Sequence, residues 1–115
     1  MSSKEIRLVI PTNGKKGIRD TVSEVFGRAK TLTIIGVKEG SISDVEVLEN
    51  PALSYRHGAG PIVVKMLVDI GVDVIAAREF GPGASALLKQ HNVKMLDVRS
   101  GVTVAEAVEG LMKNL

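Results

Sequence analysis

His57 is the residue in this chain whose type and setting most suggest chemistry. It lies between Arg56 and the run Gly58-Ala59-Gly60-Pro61, in a polar stretch where packing into a core does not explain it. Two readings stay open: an exposed surface histidine, or a ligand to a metal or metal cluster. Neutral imidazole is a common ligand, and neighbouring glycines let a bulky group approach. His91 falls in the last turn of an expected helix, where a cation complements the helix dipole. Two histidines so far apart make no zinc motif. Without Cys there is no thiolate ligand, disulfide or Cys nucleophile.

Two glycine loops offer a different chemistry. Gly58-Ala59-Gly60 and Gly81-Pro82-Gly83 each lead into an expected helix. Each is either a plain helix entry or a place where free backbone N–H groups meet an anion. Neither matches the Walker pattern or the Gly-x-Gly-x-x-Gly fingerprint. Hydrolytic chemistry finds less support. A two-metal site needs carboxylates on the first and fourth strands, and those stretches offer only Asp73, near a strand start, with Glu79 beyond the fourth. No Ser-His-Asp set assembles, so no enzyme is expected.

The elements that must position these residues follow from periodicity. Ile6, Leu8 and Ile10 mark a first strand, ended by Pro11-Thr12-Asn13-Gly14. Asp20 is read as the cap of a short helix over residues 20–26, with Gly27 as its left-handed stop. Residues 32–37 and 45–48 read as an antiparallel hairpin across Lys38-Glu39-Gly40-Ser41, and residues 49–60 as a loop. A helix follows, with Pro61 in its first turn and Gly71 past its end. Residues 72–77 read as a nearly all-apolar strand, as expected for one covered on both faces. A helix over 84–91, a strand over 93–98 and a last helix opened by a Thr103/Glu106 capping box complete the order.

An opening hairpin followed by βα units predicts a mixed five-stranded sheet with helices on its faces, residues 1–115 forming a single α/β domain. In such sheets ligands bind beyond the carboxyl ends of the parallel strands. Asn13-Gly14, residues 56–60, residues 81–83 and Ser100-Gly101 are expected at that edge, joined by Gly27-Arg28 at the start of the reversed second strand. With Lys15, Lys16, Arg28, Arg56, Arg78 and His57 nearby, the edge reads as an anion-binding mouth.

Composition agrees with a small soluble domain. The chain has 115 residues, 44% hydrophobic and 24% charged, which argues against disorder. A net charge of +2 is too small to argue for nucleic acid. No apolar run approaches a membrane span, and the polar start at Met1 carries no signal stretch. A cytoplasmic location is expected, consistent with the absence of Cys.

Four motifs occur in order: Phe26-Gly27-Arg28-Ala29, Glu49-Asn50-Pro51-Ala52, Gly58-Ala59-Gly60 and Gly81-Pro82-Gly83-Ala84. On them the chain resembles, over residues 6–108, the dinitrogenase iron–molybdenum cofactor biosynthesis family of NifX, NafY and NifB C-terminal type domains. The resemblance implies a ribonuclease H-like three-layer fold without nuclease chemistry. It also implies a non-enzymatic carrier for an anionic iron–sulfur-type cluster, the iron–molybdenum cofactor or a precursor, passed between donor and acceptor proteins. His57 matches the region before the Gly-Ala-Gly loop where cluster-binding members carry histidine, and Arg28 matches the Phe-Gly-Arg motif. The site expected is His57 as metal ligand, with Arg28, Arg56, Asn13, Gly58, Gly60, Gly81 and Gly83 around the cluster. The chain departs from longer members in having no radical-enzyme module, and its loop keeps His57 alone. The alternative is a binding module for another small anionic metabolite or a protein partner.

Overall fold

Alternation along the strands decides how the layers form. In a computed structural model, which describes residues 5–115 apart from the side chain of residue 82, β1 (Ile6–Thr12) sends Leu8 and Ile10 to one face and Val9 to the other. The polar start, residues 1–4, lies outside the described residues. β2 (Thr31–Lys38) runs antiparallel to β1, and β3 (Ser41–Glu49) antiparallel to β2. β4 (Val74–Ala77) and β5 (Lys94–Asp97) join parallel on the far side. The five-stranded order is β3-β2-β1-β4-β5.

Each face carries its own core. Val9, Leu32, Ile34 and Ile75 pack under α1 (Ala59–Asp69) and α2 (Pro82–Gln90), through Val63, Val64, Leu67 and Leu88. Leu8, Ile10, Ile35 and Ala76 pack under α3 (Val104–Leu111), through Val104, Val108 and Leu111. Every residue of β4 is buried because both faces are covered, which accounts for its unbroken apolar sequence. The outermost strand β3 is exposed or half-buried along all nine residues.

Four local expectations change. The helix over residues 20–26 does not form; a 3-10 turn at Gly17–Arg19 precedes an extended crossing. The Asp20 carboxylate accepts from the Lys16 and Thr21 amides at 3.0 and 2.8 Å, so it closes the turn behind it instead of capping a helix ahead. The following backbone is taken by neighbouring segments, with the Val22 amide donating to Val102 and its carbonyl accepting from Gly101. Gly27 is not left-handed.

β1 also continues through Pro11. The Pro11 carbonyl accepts from Ser23, so this residue turns away from β2 toward the side on which β4 pairing has ended at Val9, and its missing N–H costs nothing. Finally, the loop before α1 holds a 3-10 turn at Pro51–Ser54, and α1 begins at Ala59, with Pro61 inside its first turn. The remaining signals behave as read: Gly71 follows α1 at φ +80°, and the Thr103 hydroxyl accepts from the Glu106 amide at 3.2 Å.

Candidate functional site

The carboxyl ends of β1, β4 and β5 and the start of β2 share one sheet edge, where all three helices begin. Part of that edge opens into a cleft of about 450 Å³, in the size range of small-molecule sites. Arg28, Arg56, His57, Gly58, Gly60, Gly81 and Gly83 all line it. Asn13 does not: its amide nitrogen donates to the Thr21 hydroxyl at 2.8 Å, away from the cleft. Gly101 instead donates to the Val22 carbonyl at 2.9 Å, and neither it nor Ser100 lines the cleft.

The floor comes from two helix starts. α1 and α2 begin after Gly58 and Gly81, and no side chain caps either. The Ala59, Gly60, Gly83 and Ala84 amides have no acceptor among the described residues, and all four residues line the cleft. A helix N-terminus with unpaired N–H groups carries partial positive charge and favours an anion. The two starts abut, since a Cβ on Gly60 would sit 3.6 Å from Ala84 Cβ. Gly58 and Gly81 have φ of +75° and +81°, which explains glycine there. A Cβ at Gly58, Gly81 or Gly83 would meet nothing within 4 Å, so these glycines border open space.

One lip is the turn carrying Gly27 and Arg28. A Cβ on Gly27 would lie 2.8 Å from the Gly60 nitrogen and 2.9 Å from its Cα. Glycine is therefore required for close approach of backbone to backbone. Asn50 pins the same turn: its amide nitrogen donates to the Gly27 and Ala29 carbonyls at 2.9 and 2.8 Å, and its oxygen accepts from the Ala52 amide at 2.8 Å. The Asn-Pro motif thus acts as a clamp behind the Phe-Gly-Arg motif.

The sequence pattern placed Gly27 at this edge but did not single out Val25 or Phe80, and all three line the cleft. The chain's two phenylalanines each immediately precede a glycine of the cleft, and their ring centroids lie 5.8 Å apart, with Phe26 buried behind the lining. That repeated Phe-Gly pairing was the available signal.

Charge is distributed unevenly. Arg28 and Arg56 form no ion pair among the described residues, whereas Lys15 is paired with Glu49 and Arg78 lies 3.6 Å from Glu79. The Lys15 ammonium, by its hydrogen bond first and its charge second, holds the Glu49 carboxyl below the usual carboxylate range. Asp73 is at the opposite end of β4, where its carboxylate accepts from the Arg7 amide at 2.9 Å. Among the described residues no three His, Asp or Glu side chains gather as a metal site. A second cleft of about 310 Å³, between β5 and α3, mixes Asp97, Arg99 and Glu106 and contains none of the expected residues.

A family model described as dinitrogenase iron–molybdenum cofactor matches residues 6–114. The chain belongs to that family. It is 28% identical over 90 residues to an uncharacterized protein of Methanocaldococcus jannaschii, covering 78% of this chain and 72% of that protein. A candidate NifB protein of the DUF35 family from Thermotoga superposes with a TM-score of 0.75 at 35% identity, covering 94% of this chain and 88% of the other. The apo form of the orange protein from Desulfovibrio gigas shares the fold, with a TM-score of 0.84 at 24% identity over 98% of this chain and 92% of that one. No helix among the described residues is long and apolar enough to cross a membrane.

Proposed function

We propose that this protein is a non-enzymatic carrier that binds an anionic iron–sulfur-type cluster, the iron–molybdenum cofactor or a relative of it, in the cleft between the starts of α1 and α2. The observation that carries the reading is the convergence on one open space of two uncapped helix N-termini, His57 and two arginines that form no ion pair among the described residues. The open ground beside Gly58, Gly81 and Gly83 suits a bulky anion. Family membership supports the cluster over other anions.

His57 would supply the one metal–ligand bond. Arg28 and Arg56 would balance charge, and the Ala59, Gly60, Gly83 and Ala84 amides would donate to peripheral sulfide or oxygen. One imidazole against many outer donors suits cargo that is held and then released to an acceptor protein. The β3-β2-β1-β4-β5 order with β2 reversed supports the ribonuclease H-like reading of the architecture.

The test is anaerobic titration of the purified protein with an iron–sulfur cluster precursor, followed by visible absorption, iron counting and gel filtration. Cluster co-eluting with protein is expected, and His57→Ala weakens retention at least about fivefold without loss of fold. No retention under reducing, oxygen-free conditions removes the cluster reading. Salt-sensitive binding of a metal-free anion would then assign the cleft to a small anionic metabolite.

A further inference from the structure

Arg28 sits on a rigid base. Its turn is closed by the Ala29 amide bonding to the Phe26 carbonyl at 3.2 Å, clamped by Asn50, and pressed by Gly27 onto the start of α1. Among the described residues nothing comparable holds the segment opposite. The Tyr55 amide reaches back to Ala52, and the Gly58 carbonyl accepts from Ile62. Between them, Arg56 and His57 are exposed, and their backbone groups bond to no other backbone group among the described residues. Among the described residues one hydrogen bond reaches this pair from elsewhere: the Arg28 guanidinium donates to the Arg56 carbonyl at 2.6 Å.

We propose that Arg28 is a positioning residue, a latch that ties the segment bearing His57 to the clamped turn across the mouth of the cleft. The chemistry suits such a role. A guanidinium has several N–H donors in a fixed plane, and only one bond is made here, with no carboxylate competing among the described residues. Fixing that plane against a neutral carbonyl leaves the charge and the remaining donors for a ligand. The bond lies in solvent, where a hydrogen bond is individually weak. It therefore opens and recloses readily, as entry and exit of cargo require. Under the cluster-carrier reading, on which its purpose rests, the latch orders His57 before the cluster arrives and lowers the ordering cost of binding. The latch itself is a property of the protein alone.

Backbone 15N relaxation on the full chain without ligand tests it, since the latch holds a carbonyl and leaves the amides of this segment unbonded. Arg28→Ala is expected to lower the order parameters of residues 56–58 toward the flexible range below about 0.6, while β4 amides keep their wild-type values. Arg28→Lys keeps the charge and a donor, and recovers part of the order. Unchanged order parameters at residues 56–58 overturn the proposal. So does a fall shared equally with β4, which would make Arg28 a general stability residue. Failure of the lysine variant to recover any order also overturns it, by assigning the loss to side-chain packing. None of these outcomes depends on whether the protein binds a cluster, so a failed titration and a failed latch are separate results.

Discussion

Three helices begin at the same edge of one sheet, and they begin differently. At α3 the Thr103 hydroxyl accepts from the Glu106 amide at 3.2 Å, and the Val104 amide donates to the Asp20 carbonyl at 2.8 Å. At α1 and α2 the residue before the helix is glycine, no side chain caps, and the first amides are left without partners among the described residues. The contrast extends to the surroundings. The α3 side is closed by Asp20 and by Thr12, Thr31 and Thr33, whose hydroxyls bond at 2.6 and 2.9 Å. The α1–α2 side is left as a cleft whose arginines form no ion pair among the described residues. Where a helix start needs only to be stable, this chain satisfies it internally. Where it is left open, donors remain for something outside the chain.

That contrast can be broken most severely at the clamp. Asn50→Ala leaves one buried carbonyl, one half-buried carbonyl and the buried Ala52 amide without their partner, and should cost about 3 kcal/mol in urea unfolding, with loss of cluster retention. A stability close to wild type would show that Asn50 does not hold the turn. Gly27→Ala comes next. Its methyl must push the backbone of Gly60 aside, for an expected loss of about 2 kcal/mol and a displaced α1 start, visible as amide shift changes at residues 59 and 60.

Thr103→Ala should cost about 1 kcal/mol by removing a working cap, yet leave cluster retention untouched. If retention fell as well, the two ends of the edge would not be independent. The smallest effect is expected at Lys15→Ala. Because Lys15 lowers the Glu49 carboxyl in the folded state, whatever the pair contributes is present above the unfolded carboxylate pKa and is lost as pH falls through the folded one. Both side chains are exposed, so stability should barely change, while the Glu49 titration followed by NMR moves up to the ordinary range.

Much of the candidate cleft was legible from residue types. Glycines before helices, the arginines and His57 were read into one mouth because parallel strands end together, and seven of those residues do line one cleft. Asn13 was misplaced because strand-end position alone does not say which half of an edge a residue joins; its hydrogen bond to Thr21 decides that. The crossing over residues 20–26 was misread for a related reason. Its apolar spacing fits a short helix, but strand-like bridges to Thr12 and Thr103, from distant parts of the chain, compete with local hydrogen bonds and win.

By itself, the sequence determined what repeats locally: strand alternation, the all-apolar β4, the hairpin turn, the Thr103 cap and the glycines flanking α1 and α2. These follow from periodicity and backbone sterics, which act over a few residues. Tertiary structure alone decided that Gly27 is glycine to admit the Gly60 backbone, that Asn50 clamps a turn 21–23 residues away, and that Arg28 reaches the Arg56 carbonyl. Those are contacts between segments far apart in the chain, and they exist only once the sheet has brought its ends together.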